Sequence, residues 1–349
     1  MKIGVTLPMA QDDGSSPMPS YRDIRSFAQA AETAGLDSIW GYDHLVFRDA
    51  DGDSGIHECW TVMAAVAEAT SRVQLGILVM CTAFRNPALL AKMAATLDHV
   101  SGGRLILGIG CGWHDPEFEA FGYPTDHKVG RFEEALVVIR GLIRDGRADL
   151  DGRWVQARDA VLAPPARPDL PILIAAKRPR MLELTARYAD IWNEAWLGPP
   201  DERWARMRRD LDAACRAVGR DPATLERTVG VNVRIEDLLP GVGDATRDAD
   251  RDDEADAPEP SLHGDAAEIA AGMAAYAADG TGHLIAALEP KTPAAVERFT
   301  DAGADRPGSR RGLGNRRGLK RRRGPNGTVR SPRCVGARGA DRSAVPGSR

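Results

Sequence analysis

Residues 104–114 read Arg104-Leu105-Ile106-Leu107-Gly108-Ile109-Gly110-Cys111-Gly112-Trp113-His114, an apolar run that ends in alternating glycines. Glycine lacks a Cβ, so such a strand end lets a planar or phosphorylated ligand approach the backbone closely. Two folds offer a G-x-G-x-G of this kind. In a doubly wound dinucleotide-binding sheet the glycines follow the first strand, a helix opens from them, and an acid follows about 20 residues on. Here strand-like runs at 2–7, 37–40 and 73–79 come first, and no helix opens at Cys111. The glycines close a fourth strand, so the dinucleotide reading is set aside. A purely structural tight turn stays open beside the ligand-binding one.

Further runs at 171–175, 189–193, 228–235 and 283–288 bring the strand count to eight. Helix-length amphipathic stretches alternate with them at 21–34, 58–70, 87–100, 131–144, 180–188, 201–218, 265–278 and 292–302. This alternation predicts a parallel α/β fold, and the count favours closure into a (β/α)8 TIM barrel over residues 1–302. Pro87 and Pro293 sit at first helical positions, and Gly35 and Gly280 mark helix ends. The long connections 45–57 and 110–129 follow strands and so belong to the carboxyl face of a barrel, where active sites assemble. Within the connection 146–168, the segment 150–155 reads as a hairpin on an Asp-Gly turn. The connection 240–263 contains 8 acids and 2 arginines between Asp244 and Glu259, which predicts a solvated, mobile acidic loop at about 241–260.

The net charge of −4 conceals two unlike parts. Residues 303–349 hold 14 Lys+Arg against 2 Asp+Glu; the totals of 46 and 50 leave 32 against 48 for residues 1–302, a net of −16. A body that acidic should not bind nucleic acid through its surface field. The basic tail has almost no apolar periodicity and is predicted to be disordered. Two origins stand for it: a nucleic-acid- or membrane-seeking arm, or an unselected string of the kind a shifted frame yields in a GC-rich gene. The excess of 40 Arg over 6 Lys favours the second. Limited proteolysis is expected to remove residues 304–349 and leave melting temperature and activity unchanged; a fragment that unfolds would show the tail to be integral. No apolar run approaches the roughly 18 residues of a membrane span. Met1 leads directly into a strand without signal-peptide features, and five scattered cysteines form no C-x-x-C pair, which together predict a cytoplasmic protein.

Asp43-His44 follows the second strand, where a barrel histidine faces the ligand mouth and can exchange protons near neutral pH; capping its own loop is the alternative. His114, Asp115, Glu117 and His127 lack helical metal-ligand spacing, and no metal is expected. Ala175-Ala176-Lys177-Arg178 leads from a strand into a helix start, and free N–H groups beside cations suit a phosphate; a solvated basic loop is the alternative. Trp113, Phe118, Phe121, Trp192 and Trp196 lie near the predicted mouth, suited to an apolar, cyclic or unsaturated substrate or simply to packing.

In their order and spacing, KIGVTLP (2–8), AETAGLDSIWGYDHL (31–45), the block 73–124, RFEEALVVIRGL (131–142), the block 171–193 and the block 263–290 resemble the luciferase-like family of flavin-dependent monooxygenases and deazaflavin-dependent oxidoreductases. The resemblance implies a barrel whose cofactor ring lies in the carboxyl-end mouth. His44 falls where deazaflavin-using relatives have a histidine against the ring. Leu78-Val79 falls on their non-prolyl cis peptide, and Ala176, Lys177 and Arg178 on their phosphate loop, where two large cations are a departure. Cys111 stands where sugar-phosphate-oxidising relatives carry a catalytic glutamate, which argues against that substrate class.

The expected function is therefore a two-electron oxidoreductase using coenzyme F420, with FMN and O2 as the alternative and a non-catalytic flavin-binding protein as the rival from another class. His44 is the expected catalytic residue. The expected cofactor contacts are Asp43, His44, Leu78, Val79, Cys81, Gly110, Cys111, Gly112, Ala175, Ala176, Lys177 and Arg178, with Trp113 and Trp196 toward substrate. The expected partner is a small molecule, with neither nucleic acid nor membrane for the barrel; a homodimer is compatible with this reading.

Overall fold

The computed structural model describes residues 1–11, 16–49, 52–239 and 260–302. The expected acidic loop, apart from its last residue, and the expected tail lie outside the described residues.

Eight parallel strands close on themselves: β1 (Lys2–Thr6), β2 (Ser38–Gly41), β3 (Gln74–Ile77), β4 (Leu105–Gly110), β5 (Ile172–Ala175), β6 (Ile191–Leu197), β7 (Glu226–Arg234) and β8 (His283–Glu289). Gly4 pairs with Ser38 on one side and with Ile285 on the other, so β1 joins β2 to β8; the pairing of Ile172 with Leu107 joins β5 to β4. The helices are α1 (Tyr21–Thr33), α2 (Cys59–Ala69), α3 (Pro87–Val100), α4 (Lys128–Asp145), α5 (Pro179–Tyr188), α6 (Glu202–Ala217), α7 (Ala266–Ala278) and α8 (Pro293–Ala302). This is the expected TIM barrel, with each element within a few residues of its expected bounds. The strands read as near-continuous apolar runs because helices cover one face and the barrel interior the other.

The interior is filled rather than open. Trp40, Ile106, Leu173, Ile191 and Ile285 form an inner cluster, with Leu78 and Val79 packed on it. Gly76 makes room for the indole: a Cβ there would lie 2.0 Å from the Trp40 ring. Trp40 Nε1 donates to Ser38 Oγ at 2.7 Å, and that hydroxyl lies 2.7 Å from His283 Nε2. Burial, with Lys2 and the amino terminus adding to it, pushes the His283 imidazole down to about 3, so this ring is a neutral member of the core.

Local signals explain the helix starts. Ser20 with Asp23 and Asp265 with Glu268 form reciprocal capping boxes on α1 and α7, and Asn86 caps α3 ahead of Pro87. The expected hairpin is present with longer arms, Arg147–Asp151 against Gln156–Val161. Its tip is Gly152–Val155 rather than a two-residue turn. Glu134 of α4 accepts from the N–H groups of Arg153, Trp154 and Val155 and holds the wider tip in place.

Candidate functional site

At the carboxyl end of β2 two neighbouring side chains take different directions. Asp43 is buried, and its carboxylate receives Cys81 N–H at 3.0 Å and Arg85 Nη1 and Nη2 at 2.6 and 3.0 Å. Arg85 Nη2 also reaches Glu58 Oε1 at 2.6 Å, at the N-cap of α2. Burial pushes the Asp43 carboxyl up from its ordinary range; the Arg85 guanidinium opposes this and is itself pushed further up. Asp43 thus ties the loop after β2 to the segment after β3.

His44 turns the other way. Its Nδ1 lies 2.9 Å from Glu117 Oε1, and Glu117 Oε2 accepts Leu45 N–H at 2.8 Å. The His44 side chain is 14% exposed and that of Glu117 is 2% exposed. Burial alone would raise the Glu117 carboxyl; the His44 hydrogen bond and the Leu45 N–H together hold it below the ordinary glutamate range. The rings of Phe47, Trp113 and His114 stand 4.5, 5.7 and 6.3 Å from the imidazole. Trp113 is 70% exposed. Among the described residues no hydrogen bond reaches His44 Nε2.

Glu117 is the partner that sequence reasoning missed; it enters there only beside His114, Asp115 and His127, as a metal set that their spacing does not support. The structure disperses that group. His114 Nε2 accepts Arg48 N–H, Asp115 pairs with Lys128, and His127 lies against the Trp154 ring. Only the fold reveals the pairing, since 73 residues separate His44 from Glu117.

The glycines at the end of β4 are explained by neighbours. A Cβ on Gly108 would lie 1.8 Å from the Ile77 carbonyl, and one on Gly110 2.7 Å from Val79 Cγ2. Gly112 faces Phe118 and Cys81. The Leu78–Val79 peptide is cis, and this irregular end of β3 lies against the glycine edge of β4. Burial pushes the Cys81 thiol up to about 12 and raises that of half-buried Cys111 as well, so neither is a thiolate nucleophile at neutral pH.

After β5, Ala175 and Ala176 lead into α5. Lys177 Nζ lies 2.7 Å from Glu194 Oε1 and donates to the Ala195 carbonyl at 2.8 Å. The Glu194 carboxylate is fully buried and among the described residues receives no well-directed hydrogen bond; burial raises it despite Lys177. Arg178, exposed at the N-cap of α5, has no side-chain partner among the described residues, and the helix start carries no side-chain cap. One uncommitted cation and the free N–H groups of a helix start therefore remain for an anion.

The aromatics divide. Trp192 stacks on Trp204 with centroids 5.6 Å apart and donates to the Ala176 carbonyl, and Phe118 packs against Phe84, so both are core residues. Trp196 is half-buried, its ring over Gly230. Trp113 and Phe121 are exposed. A depression of about 310 Å³ at the opposite, amino-terminal end is lined by Lys2, Gln74, Arg144, Asp190 and Glu226 among others. Its charges pair internally, Arg144 with Asp190 at 2.5 Å, which suits the stabilising role of that barrel face. Among the described residues no helix is long and apolar enough to cross a membrane.

A family model described as luciferase-like monooxygenase matches residues 1–238. Pyrimidine monooxygenase RutA of Methylorubrum extorquens is 33% identical over 208 residues, covering 54% of this chain and 56% of that protein. Phthiodiolone/phenolphthiodiolone dimycocerosates ketoreductase of Mycobacterium tuberculosis is 35% identical over 232 residues, 60% of each. The chain thus spans between 56% and 60% of the length of these relatives. An F420-dependent secondary alcohol dehydrogenase superposes with a TM-score of 0.70 at 20% identity, covering 86% of this chain and 97% of that one. At that identity the likeness speaks for the fold alone.

Proposed function

The chain belongs to the luciferase-like monooxygenase family, and from that premise we propose a two-electron oxidoreductase that uses the deazaflavin coenzyme F420 on a small organic substrate. When bound, the deazaflavin supplies a hydride at ring C5; the protein supplies position and proton transfer. The observation that carries the reading is His44, at the carboxyl end of β2, with Glu117 on Nδ1 and no described hydrogen bond on Nε2. The donor set fits a phosphorylated cofactor, because Arg178 and the uncapped start of α5 are uncommitted while Lys177 is held by Glu194. Trp113, exposed and 5.7 Å from His44, offers an apolar face to an unsaturated or cyclic substrate.

A second reading, an FMN-dependent monooxygenase using O2, draws on the 33% identity to a pyrimidine monooxygenase. Separate titrations of purified protein with F420 and FMN distinguish the two; binding of neither would overturn both. The phosphate assignment has its own test. Arg178→Ala should weaken binding of the cofactor that binds by roughly 10- to 100-fold, since one charge-assisted contact contributes about 1.5–3 kcal/mol. Parental affinity at both low and high salt would place the phosphate elsewhere. Binding without turnover across a panel of unsaturated and carbonyl compounds would point to a non-catalytic flavin-binding protein.

A further inference from the structure

We infer that Glu117 is the positioning residue for His44: it fixes the ring with hydrogen on Nδ1 and presents a bare Nε2 as the proton acceptor at the barrel mouth. This rests on the proposed proton-transfer role of His44 and adds to it the form in which that histidine works.

The argument begins with what a carboxylate can do. Ionised, it only accepts, so the 2.9 Å contact between Glu117 Oε1 and His44 Nδ1 requires the hydrogen on Nδ1. Glu117 is buried on the short helix Asp115–Phe121, and its other oxygen is engaged by Leu45 N–H. Both oxygens are thus pinned from the chain segment that carries His44, so the carboxylate cannot swing away. The neighbouring His114 is engaged elsewhere, its Nε2 accepting Arg48 N–H. The second ring nitrogen of His44 then carries the lone pair, with no hydrogen bond to it among the described residues and the side chain 14% exposed. A bound deazaflavin would accept the hydride of a substrate alcohol, and His44 Nε2 would accept the hydroxyl proton. Glu117 would steady the resulting imidazolium, and in the reverse direction Nε2 would return the proton.

Glu117→Gln tests this with little change of shape. An amide has one oxygen, and Leu45 N–H claims it, because turning the amide nitrogen there would oppose two donors in a buried site. The amide nitrogen then donates to His44 Nδ1 and forces the hydrogen onto Nε2. The 15N NMR spectrum of the ring in full-length protein without cofactor should show hydrogen on Nδ1 in the parent and on Nε2 in the variant. Turnover should fall about 10²-fold with KM nearly unchanged, the size expected of a general acid–base contribution. The parent spectrum is readable even if the variant folds poorly. Hydrogen on Nε2 in the parent, or a parental tautomer or turnover in folded E117Q, would overturn the inference. Failure of the proton-transfer reading itself shows separately, as full activity of His44→Ala.

Discussion

Replacing Arg85 with Met should lower folding stability at neutral pH by about 3–5 kcal/mol, the cost of removing one member of a buried ion pair. The Arg85 side chain is 12% exposed and that of Asp43 is 1% exposed, so water cannot take over the lost contacts. Without the guanidinium, Asp43 keeps only Cys81 N–H as a donor among the described residues. Glu58 suffers less, because Trp60 and Thr61 N–H groups at the start of α2 still reach its half-exposed carboxylate. The pH dependence has a definite sign. Burial already raises Asp43 in the parent, and removing Arg85 takes away its chief opposing influence. A carboxyl whose folded value lies above its unfolded value costs stability as pH rises through that interval. The deficit of Arg85→Met should therefore shrink toward acid pH, where Asp43 is protonated. Urea unfolding across pH, with Asp43→Asn and the double variant, measures both statements. A double variant less stable than Arg85→Met at neutral pH would show that the uncompensated charge is not the cause.

Much of this architecture is legible in the sequence because barrel strands and covering helices advertise themselves by period and length. The glycine run at 108–112 marks the end of β4, and Pro87 and Pro293 mark helix starts. What stayed hidden is pairing across distance. Nothing local tells that Glu117 faces His44, that Arg85 bridges Asp43 and Glu58, or that buried Glu194 holds Lys177. Each pair joins segments of different β/α units, so its spacing follows no repeat. The packing around Gly108, Gly110 and Gly112 stayed hidden for the same reason: an added Cβ there would meet Ile77, Val79, Phe118 or Cys81, all from other segments. Aromatic residues were ambiguous because Trp192 and Trp113 look alike in sequence, while one is buried beneath α6 and the other stands in solvent.

Replacing His44 with Ala should lower turnover by at least tenfold, a conservative floor against the 10²–10⁴-fold that general acid–base groups contribute. Cofactor affinity should change little, because the proposed phosphate contacts lie after β5, at Arg178 and the start of α5, on a different loop. The alanine also leaves Glu117 Oε1 without its 2.9 Å partner, but Oε2 keeps Leu45 N–H, so the loop after β2 retains one anchor. Asp43 anchors the same loop independently through Arg85 and Cys81. The melting temperature should accordingly fall far less than in Arg85→Met. The imidazole vacates a space next to Phe47 and Trp113, and its side chain is partly exposed, so free imidazole can enter from solvent. Added imidazole should restore part of the lost turnover with a saturating dependence on the neutral form, since that form carries the lone pair. A fully active variant would show that His44 only shapes its loop. An inactive variant that imidazole does not rescue, with parental cofactor affinity, would move the proton-transfer role to another residue.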